Sequence, residues 1–347
     1  MLQITGSSTS LFFTLLLFLF QAFCVLGLPA QRAASPINTP SSSSRAVAPI
    51  KISLNWSKTH HHKRQDNGTL APVIDADFPD PGLLQDADGT WVAFATSGNG
   101  HDVQVATADD AFGPWTLLDK EALPDKGWTS GKNYWAPDVR MLADGSYIMY
   151  FSGQLNSSSA HCIGVARSGS STGPYAIDGD EPLICPTDQG GAIDPSGFLD
   201  EATGKRYIVY KVDGNAANTD TPLKLQQVSA ADGSTLIGDA VTIMNRIEAE
   251  DGPLVEAPNL VKLRDGRYLL FFSSHMYSDD AYDVKYAVAD SIEGPYVRGA
   301  APLLSTPEMG LKGPGGGTSS EEPGVLVFHG YCRERVRCMY VIGYNIE

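Results

Sequence analysis

The sequence predicts an all-β protein, a five-bladed β-propeller, and three observations carry that prediction. A turn followed by an apolar strand recurs along the chain, its marker glycines Gly89, Gly145, Gly204, Gly266 and Gly324 spaced by 56, 59, 62 and 58 residues. A second pattern, a strand closed by Gly-Pro-aromatic, runs out of phase with the first. No long amphipathic helix pattern interrupts them. Four-stranded units repeating at about 40–60 residues are the mark of a propeller, whereas a parallel α/β fold needs helices between its strands.

The elements follow in order. Residues 1–27 read as a signal peptide: SLFFTLLLFLFQAFCVLGLPA is an apolar run with small residues at a plausible cut near Gly27 or Ala30. Its flank carries no Lys or Arg. Gln21 interrupts the roughly 20 apolar residues that a membrane span needs, so cleavage is expected rather than anchoring. Residues 28–70, rich in Ser, Pro and Ala, read as a disposable propeptide or linker with a dibasic site at Lys63-Arg64. The run His60-His61-His62 lies there with no Cys or carboxylate beside it and reads as an incidental polar run.

Residues 71–347 then hold the blades. DGTWVAFATSG from Asp88, DGSYIMYFSGQ from Asp144, TGKRYIVYKVDG from Thr203 and DGRYLLFFSSH from Asp265 each give a Gly turn, an aromatic and an apolar run; EEPGVLVFHGY is a weaker fifth copy. The pairs Gly113-Pro114, Gly173-Pro174 and Gly294-Pro295 mark outer edges of successive blades.

Removing residues 1–64 takes six basic residues and no acidic one, moving the formal charge from −15 to −21. So acidic a surface repels nucleic acid and anionic membranes and suits a neutral substrate. Four cysteines remain after Cys24 leaves with the signal, and Cys162–Cys185 and Cys332–Cys338 are the expected pairs because each flanks a local hairpin. Asn55, Asn67 and Asn156 stand in N-x-S/T sequons, in keeping with glycosylated export.

An acid stands beside a proline ahead of each of the first four blades: FPDPGLL with Asp80, WAPDVRML with Asp138, AIDPSGFL with Asp194 and VEAPNLVKL with Glu256. If these are equivalent positions on innermost strands, they converge on one mouth of the channel. Converging carboxylates raise one another's pKa, so one can stay ionised while another holds a proton. That division suits glycoside hydrolysis. Asp138 has a second reading, as a strand tie near the axis. Glu248, Glu250 and Asp251 crowd upstream of Glu256 but precede the strand.

The propeller with FPDP, AIDPS and VEAP at the heads of blades one, three and four resembles glycoside hydrolase family 43 over roughly residues 71–347. The resemblance implies Asp80 as general base, Asp194 as the residue that tunes and orients the acid, and Glu256 as general acid. It also implies inversion at the anomeric carbon, with a base-to-acid gap of about 6.5–9.5 Å. Phe78, Tyr134 and Trp135 are candidate sugar platforms, with core packing as the alternative, and Arg337 is a candidate substrate contact or a plain hairpin charge. Many members carry a histidine after Gly-Pro-Gly in the last blade, near an axial calcium or water cluster. Here that stretch reads KGPGGGTSS, so no cofactor is expected to be required, and the sequence offers no histidine there for an axial calcium. His329 faces either the axis or the core.

Within the family, the CIGVA-to-ICP segment and GGAIDPS look closest to arabinan-directed members, with a β-xylosidase or a non-catalytic sugar-binding propeller as alternatives. The chain shows no sandwich domain after blade five, which favours arabinan. A secreted monomer acting on a neutral polysaccharide is expected. Endo and exo action stay open, to be decided by loops such as 121–133 and 307–322; the glycine run at 313–317 reads as mobile.

Overall fold

A strand and its return need a turn that glycine can make, and the marker glycines make it. Their φ angles are 92, 83, 67, 91 and 139°. A Cβ at Gly89, Gly145, Gly204 or Gly266 would meet nothing within 4 Å, so backbone conformation rather than crowding demands glycine there. The computed structural model describes residues 47–55, 68–215 and 219–347. The expected signal peptide, the histidine run, Lys63-Arg64 and Asn67 lie outside the described residues.

The first strand, β1 (Ile52–Asn55), belongs to the last sheet. Blade one holds β2 (Gly82–Gln85), β3 (Trp91–Ala95), β4 (Gln104–Ala108) and β5 (Thr116–Leu117). Blade two holds β6 (Trp135–Met141), β7 (Tyr147–Gln154), β8 (His161–Ser168) and β9 (Ala176–Ile177). Blade three holds β10 (Ala192–Asp200), β11 (Lys205–Val212), β12 (Leu223–Val228) and β13 (Leu236–Met244). After a short helix α1 (Glu248–Asp251), blade four holds β14 (Val255–Lys262), β15 (Tyr268–Ser274), β16 (Asp283–Ala289) and β17 (Val297–Arg298). Blade five holds β18 (Gly315–Ser319), β19 (Val325–Arg333) and β20 (Val336–Ile346), and its outer strand is β1.

Every pairing within the blades is antiparallel. The innermost strands β2, β6, β10, β14 and β18 each touch the next around a closed ring. Five apolar clusters fill the five seams. Phe94, Val139 and Met149 pack between blades one and two, and Phe271, Leu326 and Phe328 between four and five. The Gly-Pro pairs, all cis, precede the short outer strands as the repeat implied. Both expected disulfides, Cys162–Cys185 and Cys332–Cys338, are present.

Two expectations need correction. The segment 28–70 was expected to be disposable, yet Ile52–Asn55 pairs with β20 from Ile346 to Gly343, and Ile50 and Ile52 are buried in the seam between blades four and five. The alternation of KISLN is a strand signal that the surrounding Ser, Pro and Ala obscure. The glycine run at 313–317 is no free loop either: Gly315–Ser319 is the inner strand of blade five. Its glycines answer crowding, because a Cβ on Gly315 would lie 1.9 Å from the Tyr282 ring.

Burying two isoleucines is worth roughly 3–6 kcal/mol before the cost of ordering the strand. A chain beginning at residue 65 is therefore expected to melt at least about 5 °C below the full chain in a calorimetric scan. An unchanged Tm would make β1 an ornament.

Candidate active site

The inner strands share a kink, and the kink corrects how the acids align. β6, β10, β14 and β18 each carry a bulge, at Trp135/Asp138, Ile193/Ser196, Glu256/Asn259 and Gly315/Thr318. Within it one residue turns left-handed: Ala136 (φ 42°), Asp194 (54°), Ala257 (49°) and Gly316 (62°), with Asp80 (53°) just ahead of β2. In the first four blades this residue precedes a proline: Pro81, Pro137, Pro195 or Pro258. Left-handed non-glycine residues cost of order 1–3 kcal/mol each and gather at functional sites. Asp80 and Asp194 thus occupy equivalent positions. Glu256 stands one residue earlier and Asp138 two residues later, so the four acids are not the matched ring that the sequence suggested.

A cavity of about 480 Å³ opens at the kinks and takes residues from all five blades. Asp80, Asp194 and Glu256 line it together, with Trp135 and Arg337 on its walls. The Trp135 ring stacks on His161 with centroids 3.6 Å apart, giving a flat aromatic face. Arg337 lies 3.4 Å from Asp80 through Nη1 and covers the Tyr277 ring.

The carboxyls have been given opposite characters. Burial alone would raise the pKa of Asp80, but the Arg337 guanidinium and the Thr96 hydroxyl, which donates to Oδ2 at 2.6 Å, hold it well below the usual carboxylate range. Its main-chain N–H donates to His329 Nδ1 at 3.0 Å, which fixes that ring nitrogen as an acceptor. Burial keeps the imidazole neutral. Asp194 is the converse: burial, then the charge of Glu256, push its carboxyl up to about 8 against the pull of Lys211. Asp194 therefore holds a proton at neutral pH, beside Glu256. Lys211 Nζ, fully buried, donates to Glu256 Oε2 at 2.9 Å.

Three of the candidates play other parts. Phe78, in the segment ahead of β2, is buried in the seam between blades five and one. Tyr134 is buried between blades one and two, with its hydroxyl 2.5 Å from Thr129 Oγ1. Asp138 lines the cavity, but its carboxylate is spent on a two-pronged bond to Arg140 and on the Gly197 N–H. It is the strand tie between blades two and three. Asp251, in α1, is buried under Lys285 and Arg298 and outside the cavity lining.

Sequence reading passed over Lys211, Thr96, Tyr282, His161 and Asp213, all at the site. One signal was available. Thr96, Ser152, Lys211 and Ser273 each stand seven residues after their marker glycine, and a buried lysine in that series is out of character. Among the described residues the close cluster of metal-ligating types is Asp75 with Cys332 and Cys338, whose sulfurs are joined in a disulfide and cannot ligate. At the kink of blade five stands Gly316, which has no side-chain ligand to offer. No helix among the described residues is long and apolar enough to cross a membrane.

The profile of glycosyl hydrolases family 43 matches residues 69–340. A probable arabinan endo-1,5-alpha-L-arabinosidase C from Aspergillus flavus is 42% identical over 92 residues, 26% of this chain and 28% of that relative. A beta-D-galactofuranosidase from Aspergillus niger is 31% identical over 209 residues, 57% of this chain and 53% of that relative. The chain thus spans well under two thirds of the length of the curated relatives it matches. The crystal structure of a thermostable family-43 glycoside hydrolase superposes with a TM-score of 0.67 at 24% identity, covering 80% of this chain and 92% of that one.

Proposed function

Because the chain belongs to glycosyl hydrolase family 43, we propose that it hydrolyses furanosidic linkages of arabinan, or of other arabinose-containing cell-wall polysaccharide, by single inverting displacement. In this reading Asp80 is the base that takes a proton from the attacking water, Glu256 the acid that protonates the leaving oxygen, and Asp194 the partner that shares and orients that proton. The observation that carries it is three carboxyls in one cavity with opposite surroundings: Asp80, kept ionised by Arg337, and Asp194, kept protonated by burial beside Glu256. An inverting glycosidase needs both states at once.

The two relatives favour a five-membered sugar ring over xylose, since both named activities concern furanosides. The Trp135 face and Arg337 would hold the ring and its hydroxyls. We place the site of action outside the cell, on the strength of the expected leader and the two disulfides.

Full-length protein incubated with linear 1,5-arabinan is expected to release arabinose or a ladder of short oligosaccharides. Proton NMR of the first product should show the inverted anomer. Retention at the anomeric carbon, or turnover of xylo-oligosaccharides alone, would end this reading.

A further inference from the structure

Each kinked residue has a main-chain N–H that must find an acceptor, and four of the five find it on the second strand of the preceding blade or, for Thr96, one residue past its end. Ala136 donates to Thr96 Oγ1 at 2.9 Å, Asp194 to Ser152 Oγ at 3.0 Å, Gly316 to Ser273 Oγ at 3.0 Å and Asp80 to His329 Nδ1 at 3.0 Å. These acceptors are equivalent: Ser152, Ser273 and His329 pair across their blades with Trp135, Glu256 and Gly315. In blade three the same place, opposite Ile193, holds Lys211, which has only donors. The Ala257 N–H therefore goes to Asp194 Oδ2 itself, at 3.0 Å.

The comparison with blade one is direct, because Asp80 and Asp194 sit at matching positions. Thr96 stands between Asp80 and the next blade, accepting from Ala136 and donating to Asp80 Oδ2. With lysine in place of that hydroxyl, Asp194 itself is bonded to blade four, beside Glu256, and the ammonium binds Glu256 Oε2. We infer that the seam residue, Thr96 in blade one and Lys211 in blade three, is what gives two equivalent aspartates different work, Lys211 being a positioning residue for the Asp194–Glu256 pair. This rests on the proposed glycosidase reading.

The groups facing the pair come from four blades. Lys211 and Asp213 face it from blade three, the Tyr282 hydroxyl from blade four, Asp80 from blade one and His329 from blade five. Lys211 stays charged: burial would lower its pKa, but Glu256, Asp194 and Asp213 raise it. It is the cation nearest the pair, so its removal disfavours both carboxylates.

Two variants separate its charge from its geometry. Lys211→Met keeps a long stem that cannot accept the N–H but removes the ammonium. The alkaline limb of kcat/KM, expected at about 8 in the unaltered protein, should rise by at least about one unit. Lys211→Thr copies the blade-one seam, so Ala257 and Asp194 both turn to the new hydroxyl. There kcat should fall by about tenfold or more, with KM changed much less. A limb unmoved in the Met variant, together with kcat within about twofold in the Thr variant, overturns the inference. Nitrogen-15 NMR of the unaltered chain gives an answer even where a variant fails to fold or no substrate is turned over. The Lys211 ammonium resonance should move with the titration of the carboxyl pair, and an indifferent resonance likewise overturns the inference. Loss of all turnover in the unaltered protein, with the NMR titration intact, counts against the glycosidase reading instead.

Discussion

Asp80→Asn is expected to lower kcat on an arabino-oligosaccharide by about three orders of magnitude, within the range a lost general base costs, while leaving affinity nearly intact. Asn is nearly the size of Asp and tolerates the left-handed φ of 53° at this position. The main-chain bond to His329 survives; with the amide oxygen turned to Arg337, the amide NH2 takes the other carboxylate position and donates to the Thr96 hydroxyl, which turns from donor to acceptor. What is lost is the negative charge that Arg337 stabilises and the lone pair that would receive the water's proton. Calorimetric binding of the oligosaccharide should therefore change little while turnover collapses. An Asn variant that keeps more than about a tenth of wild-type kcat would remove Asp80 from the role of base.

The repeat was legible because it is a matter of local chemistry. Turn glycines and period-two strands declare themselves in windows of ten residues, and so did the hairpin-flanking cysteines. Asp80, Asp194 and Glu256 were legible for a related reason, each sitting in a short motif beside proline. What stayed hidden depends on neighbours distant in sequence. Phe78 and Tyr134 stand in the segments that lead into β2 and β6, close to site residues in sequence, yet both rings are buried in seams whose other wall is a different blade. Asp138 looks like its fellow acids until Arg140 is seen to claim it. β1 hid in a polar segment because its partner, β20, lies at the other end of the chain. Lys211 is the sharpest case. Its oddity shows only when the five blades are laid over one another, and its meaning only when Ala257 is seen to donate to Asp194.

Glu256→Gln carries the second large effect, and the choice of leaving group isolates its cause. On arabinan the departing sugar oxygen needs a proton, so loss of the acid should cost about 10²–10⁴ in kcat. A dinitrophenyl arabinofuranoside leaves without that proton, and on it the variant should recover to within about tenfold of wild type. The fold should tolerate the change for an electrostatic reason. The Glu256 charge is one of the causes that raise Asp194, second only to burial, so neutralising Glu256 lets Asp194 ionise more readily and take over the pairing with Lys211. The buried ammonium then keeps an anionic partner, and the steep cost of an orphaned internal charge is avoided. A thermal scan should accordingly find Tm within a few degrees of wild type. Asp194→Asn acts through the same proton, and should slow arabinan cleavage with recovery on the activated substrate as well. If Glu256→Gln is slowed equally on both substrates, the proton comes from elsewhere, and Asp194 becomes the residue to test as the donor.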